Sequence, residues 1–277
     1  MGRAAFSLTL ILICGAACNR TPSGNSEERP PANPGLQDAL KAKNPGYNGQ
    51  GQFEPRDGGI AAILRDSGIS DLGPLKQAPL RELDLQNNPV TDLSPLQGLP
   101  LEALYLEGTQ VSDIGPLKGM SLRVLYLSGT KVSDLSPLRG MPLRELNLLG
   151  TQVTDLGPLY GAPLEILWLN ETPVRDLTPL EASPLVSLTI HRTRVESLSP
   201  IRNLKTLQRL HLAETPVTDL TPLEGLRLVR LIFSPGRVRK GIGTARKMGS
   251  IGEIGATLEG RLAPAVFWEM YDKGEFK

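Results

Sequence analysis

Eight leucines recur at an almost constant interval. Leu80, Leu101, Leu122, Leu143, Leu164, Leu185, Leu207 and Leu228 stand 21 residues apart, with one step of 22 between Leu185 and Leu207. Such a period marks a chain built by stacking one small unit, because a piece this short cannot bury its own apolar side chains and only its neighbours can cover them. Each unit opens as L-x-x-L-x-L, as in Leu122-Arg123-Val124-Leu125-Tyr126-Leu127. It continues through Thr130, Val132, Asp134, Leu135, Pro137 and Leu138. Stacking places Leu on Leu and Val on Val, each contributing ~1.5–3 kcal/mol when buried.

The alternation inside the unit has a period of two, so a short strand turns Leu125 and Leu127 inward and Val124, Tyr126 and Ser128 outward. A column of prolines (Pro74, Pro95, Pro116, Pro137, Pro158, Pro179, Pro200, Pro222) follows Gly, Ser or Thr. That order reads as a cap residue followed by Pro at the first helical position. About eight residues remain for the return leg, which predicts a single helical or 3₁₀ turn and not a full α-helix.

The residues after the strand, and Asp92-Leu93-Ser94-Pro95-Leu96 in particular, resemble the leucine-rich repeats of the short, internalin-like bacterial kind. The resemblance covers residues 69–238. It implies an α/β solenoid with parallel strands on the concave face, short 3₁₀ or turn segments on the convex face and a capping helix at the C-terminus. The family places Asn after L-x-L-x-x, and here only Asn88 conforms. Thr109, Thr130, Thr151, Thr172, Thr193 and Thr215 take the other positions. A hydroxyl has one donor where an amide has two, so the ladder between coils should be weaker or differently arranged.

The first 17 residues read as a signal peptide, with Arg3 before an apolar run too short to span a bilayer comfortably. Gly15-Ala16-Ala17-Cys18 resembles a bacterial lipobox, although Gly15 stands where that motif has Leu. The resemblance implies export and lipidation of Cys18 in the cell envelope. The alternative is cleavage near Ala17, giving a soluble secreted protein. Loss of Arg3 with the leader leaves 29 basic against 29 acidic side chains, which supplies no global field for nucleic acid. Residues 18–55 are rich in Pro, Gly, Asn and Ser and read as a flexible tether. Residues 56–79 should form an N-terminal cap and half repeat, with a short helix over Ile60–Leu64. The solenoid proper spans 80–240. A C-terminal cap follows over 241–277, with a helix at Ala263–Tyr271 whose Val266, Phe267 and Met270 cover the last coil.

Inward leucines and turn residues serve the fold, so the outward strand positions are where a partner is encoded. Their middle column runs Asp84, Tyr105, Tyr126, Asn147, Trp168, Thr189, His211, Ile232. Strands ~4.8 Å apart would join Tyr105, Val124, Tyr126, Leu149, Ile166 and Trp168 into one exposed patch, with His191, Arg209, His211 and Arg230 beyond it. A patch of that kind fits a protein partner, with Trp168 and Tyr126 as anchors. Carbohydrate or peptidoglycan stacking on the same rings, and a purely structural envelope role, stay open. Charge should be graded along the face, from Glu82, Asp84 and Glu107 to His191, Arg192, Arg209, His211 and Arg230.

No chemistry emerges. The two cysteines, Cys14 and Cys18, lie in the leader region, and only two histidines occur. His191 and His211 fall on adjacent strands at diagonal positions, about 7–8 Å apart, with no third strong ligand. One Asp per coil offers too few oxygens for calcium and reads as a ladder capping each turn. No catalytic residue, metal or cofactor is expected, and the basic stretch 226–247 reads as a solvated rim.

Overall fold

The computed structural model describes residues 34–276, and the predicted signal peptide, Cys18 and the start of the tether lie outside them. The chain runs through α1 (Pro34–Lys43), β1 (Gln52–Arg56), β2 (Gly59–Ile63), β3 (Leu80–Asp84), β4 (Ala103–Tyr105), β5 (Val124–Tyr126) and β6 (Glu145–Asn147). It continues through β7 (Ile166–Trp168), β8 (Ser187–Thr189), β9 (Arg209–His211), β10 (Arg230–Ile232), α2 (Ile242–Lys247), β11 (Glu253–Gly255), β12 (Arg261–Leu262) and α3 (Pro264–Asp272). The strands form one 12-stranded sheet in sequence order. Pairing is parallel except in the β1–β2 and β11–β12 hairpins. This is the leucine-rich repeat solenoid that the 21-residue period predicts.

The period becomes register directly. Leu83, Leu104, Leu125, Leu146, Leu167, Leu188, Leu210 and Leu231 are successive partners across the sheet, and all are buried. The 22-residue step is absorbed between Leu204 and Leu207, so Leu188 still faces Leu210. On the opposite side each coil makes one 3₁₀ turn, from Gly73–Leu75 to Thr221–Leu223, with Pro in second place.

The cap of these turns differs from expectation. The Gly, Ser or Thr before each Pro is already the first 3₁₀ residue, and the acceptor is the Asp two positions earlier. Asp134 Oδ1 accepts the Ser136 N–H at 2.8 Å, and Asp71, Asp92, Asp113, Asp155, Asp176 and Asp219 repeat the bond. Where Asp is missing, Ser197 Oγ substitutes at 3.2 Å. The aspartate column is thus a capping ladder, as its spacing suggests. The threonine ladder is local: Thr130 Oγ1 donates to the Leu127 carbonyl of its own coil at 2.7 Å. Within this column Asn88 is the residue that bridges coils, accepting the Ser67 and Ile69 N–H groups and donating to the carbonyls of Leu64 and Leu85.

The N-terminal cap differs most from the sequence reading. The stretch expected as a tether is folded from Pro34 onward. Leu36 and Leu40 of α1 and Tyr47 are buried, and Asn44 Oδ1 accepts the Ser70 and Asp71 N–H groups that the first coil would otherwise leave bare. Ile60–Leu64 is no helix, because Gly59–Ile63 is strand β2. Asp57-Gly58 supplies a two-residue hairpin turn, with Gly58 at φ 72°. At the far end Phe267 of α3 is buried against Phe233, ring centroids 5.8 Å apart. Met270 is half-buried and Val266 faces solvent.

Candidate functional site

The outward middle column lies in register, Asp84–Tyr105–Tyr126–Asn147–Trp168–Thr189–His211–Ile232. The sheet therefore brings the predicted aromatic residues onto one wall. The rings of Tyr105 and Tyr126 meet edge to face at 5.1 Å and 78°, and those of Tyr126 and Trp168 at 5.5 Å and 70°. Tyr126 and Trp168 stand two strands apart, about 9.6 Å along the sheet, so their rings lean together across Asn147. That residue is short and turns its Oδ1 to the Leu149 N–H at 3.0 Å.

The patch is less open than its sequence suggests. Tyr105, Val124, Tyr126, Leu149, Ile166, Trp168, His191, Arg209 and Arg230 are half-buried, and His211 retains 8% of its accessibility. Edge-to-face packing is the reason: each ring covers part of the next, an arrangement that also stabilises the sheet. Val124 and Ile166 line one side of the aromatic row with Glu145 between them. Glu107, Leu149, Asn170 and His191 line the other.

The expected charge gradient is largely neutralised. Glu82 pairs with Arg56 at 3.4 Å, and Asp84 with Arg65. Arg192 is held between Glu171 at 3.2 Å and Glu214 at 2.9 Å, and Arg230 pairs with Glu253. Within the basic stretch, Arg246 pairs with Asp272 and lies 4.9 Å over the Trp268 ring.

The histidines are closer than diagonal sheet geometry implies. Their side chains converge, and the rings of His191 and His211 stack at 4.8 Å and 26°. His191 Nδ1 lies 3.0 Å from the Ala213 carbonyl, so it carries the proton of that bond. Burial, with the neighbouring His191 adding, pushes the His211 pKa down to about 4. Among the described residues, no three His, Cys, Asp or Glu side chains come together as a metal site requires.

Four buried polar atoms on this wall have no hydrogen-bond partner: Glu107 Oε2, Asn170 Oδ1, Thr189 Oγ1 and His211 Nε2. Burial raises the Glu107 pKa to about 7, with Asp84 adding to the effect. Tyr105 is pushed up to about 12 by burial and then by the carboxylates of Glu82, Glu145, Asp84 and Glu107. Tyr126, whose hydroxyl donates to Glu145 Oε2 at 2.9 Å, is raised for the same two kinds of reason. The sequence put Thr189 in the outward middle column and Glu107 only in the charge gradient, and Asn170 flanks the row beside Trp168. Their signal is positional, since each interrupts or flanks the aromatic row with a short or charged polar group.

No family model matches the chain, and no curated protein sequence does. Solved structures do. Internalin C2 from Listeria monocytogenes str. 4b F2365 is 29% identical with a TM-score of 0.57, over 60% of this chain and 76% of its own. An internalin (inlF) from the same organism is 25% identical with a TM-score of 0.59, over 70% of this chain and 65% of its own. The chain thus shares the leucine-rich repeat solenoid of these internalins. A leucine-rich repeat protein from Leptospira interrogans shares the fold at 23% identity and a TM-score of 0.52, with 56% of its length covered. In this solenoid the column that contains Trp168 lies on the strand wall, in register with its neighbours.

Proposed function

We propose that the protein is a non-enzymatic binding module, exported and held at the cell envelope by a lipid on Cys18, that takes a partner protein on its concave strand face. One observation supports this above the others: Tyr105, Tyr126 and Trp168 form a continuous row of interlocked rings on a wall whose inward residues already complete the core. Aromatic residues packed at the centre of a polar-rimmed face are the usual anchors of protein interfaces.

The test is cross-linking in the native envelope followed by mass spectrometry, with the captured partner then titrated against wild type and Trp168→Ala. Loss of the Trp168 anchor should weaken binding by about 2 kcal/mol, roughly thirtyfold, with the melting curve still cooperative. Unchanged affinity would remove Trp168 from the interface.

A further inference from the structure

We propose that the concave face receives an arginine or lysine side chain of its protein partner against the Tyr105 and Tyr126 rings, with Glu107 as the counter-ion. The proposal rests on the concave-face reading above and specifies the chemistry of the partner.

Three independent features of the wall point to a cation. The first is charge. Glu82, Asp84, Glu107 and Glu145 surround the two tyrosines, and only Arg56 and Arg65 pair with members of this group. Glu145 instead accepts the Tyr126 hydroxyl. The negative field is felt at the rings, since all four carboxylates contribute to holding Tyr105 in its protonated form.

The second feature is hydrogen-bonding capacity. Glu107 Oε2 and Asn170 Oδ1, which flank the aromatic row on the same side, are acceptors without donors. A ligand that satisfies Glu107 Oε2 must bring a hydrogen-bond donor, and a guanidinium carries five N–H groups and an ammonium three; Asn170 lies three strands away, ~14 Å, and takes a separate donor of the partner. Glu107 is half-buried as a whole, so part of its side chain reaches the surface of the wall. The third feature is the tyrosine pair itself. Aromatic rings attract a cation within about 6 Å of their centroids, and the attraction grows as water is excluded. A partly desolvated carboxylate beside such rings strengthens the site, because the counter-charge acts through a medium of lower dielectric than water.

Ion pairing also couples capture of the cation to a proton. Before binding, Glu107 is half protonated near pH 7. The incoming cation favours the ionised form, so binding releases a proton and weakens as pH falls below 7. The groups facing Glu107 are Asp84, Arg65, Tyr105 and Tyr126. Asp84 pairs with Arg65 and both tyrosines are raised, so among these groups the shift to about 7 belongs to Glu107.

The experiment pans a random peptide library against the full chain at pH 8, beside Trp168→Ala and Glu107→Gln. Wild type should enrich peptides carrying Arg or Lys, and Glu107→Gln should lose that enrichment. Citrulline in place of arginine in a selected peptide should cut affinity at least tenfold with the protein itself unaltered, which keeps the test independent of any variant's folding. Moving from pH 8 to pH 5.5 should weaken wild type about tenfold and leave Glu107→Gln unchanged. A selected pool that Trp168→Ala loses but that shows no basic enrichment, or keeps it in Glu107→Gln, overturns this proposal alone. A wild-type pool identical to that of Trp168→Ala overturns the concave-face reading and this proposal together.

Discussion

Two side chains on the concave wall, His211 and Glu107, give the folded protein opposite responses to acid. His211 is neutral and buried, with a pKa near 4 against an ordinary value of 6.5. Between those values the unfolded chain binds more protons than the folded one, so this histidine costs stability as pH falls from 6.5, by about 3 kcal/mol near pH 4. Glu107 works in the other direction. Its pKa rises from 4.5 to about 7, so the folded state holds the extra proton and the penalty of burying its charge disappears as pH falls from 7 to 4.5. The two slopes offset one another in wild type between pH 4.5 and 6.5. Glu107→Gln should raise the melting temperature above pH 7 by about 2–4 °C and expose an uncompensated acid loss. His211→Asn should show the reverse, with stability rising as pH drops through that window. Thermal melts of the three proteins at pH 4.5, 5.5 and 8 check both signs, and parallel pH profiles would refute the assignment.

At the level of the repeat unit, the aspartate cap and the turn after each 3₁₀ segment carry the local specification. Asp134→Ala leaves the Ser136 N–H without its acceptor and should lower the urea midpoint. Ser197→Asp should raise it, since Ser197 makes the same bond at 3.2 Å where the aspartates reach 2.7–2.8 Å. The following turn switches type with one residue. Lys118 has ψ 128° before Gly119 at φ 76°, whereas Glu181 has ψ −23° before Ala182, as expected when only glycine accepts the left-handed position of a type II turn. Such elements were legible because the period repeats each signal eight times. The N-terminal cap was not. Residues 34–47 occur once, and the spacing of Leu36 and Leu40 on α1 is too brief to outweigh the Pro, Gly and Asn around it. The run Ile60–Leu64 fits helix and strand equally by pattern, and Asp57-Gly58 was the discriminating turn. The site divides the same way. Register put Tyr105, Tyr126 and Trp168 on one wall, but the way the rings lean across Asn147, and hence their partial burial, depends on side-chain rotamers that no spacing encodes.

For the whole molecule, the consequence of the stack is near-neighbour energetics: each coil contacts only the coils beside it, and stability is a sum of unit and interface contributions. The interfaces are interchangeable to the extent that Leu104, Leu125 and Leu146 are equivalent, and their identical burial and register show that they are. Deleting residues 122–142 removes one full period and brings β6 against β4, with Leu146 meeting Leu104 and Asn147 meeting Tyr105. The shortened chain should fold cooperatively with a lower midpoint, because one set of buried Leu125, Leu127, Val132, Leu135 and Leu138 contacts is gone and no new mismatch arises. Deleting 122–141 instead, one residue fewer, leaves a 22-residue step at the loop position where the chain already absorbs one between Leu204 and Leu207, so the inward leucines should keep their register. That chain should also melt cooperatively. Circular dichroism melts of the two deletions, side by side, check this, and loss of the transition in the 20-residue deletion would refute the absorbing loop. The 21-residue deletion also removes Tyr126 while keeping Tyr105 and Trp168, so it should bind the partner more weakly than wild type while folding as well as its length allows.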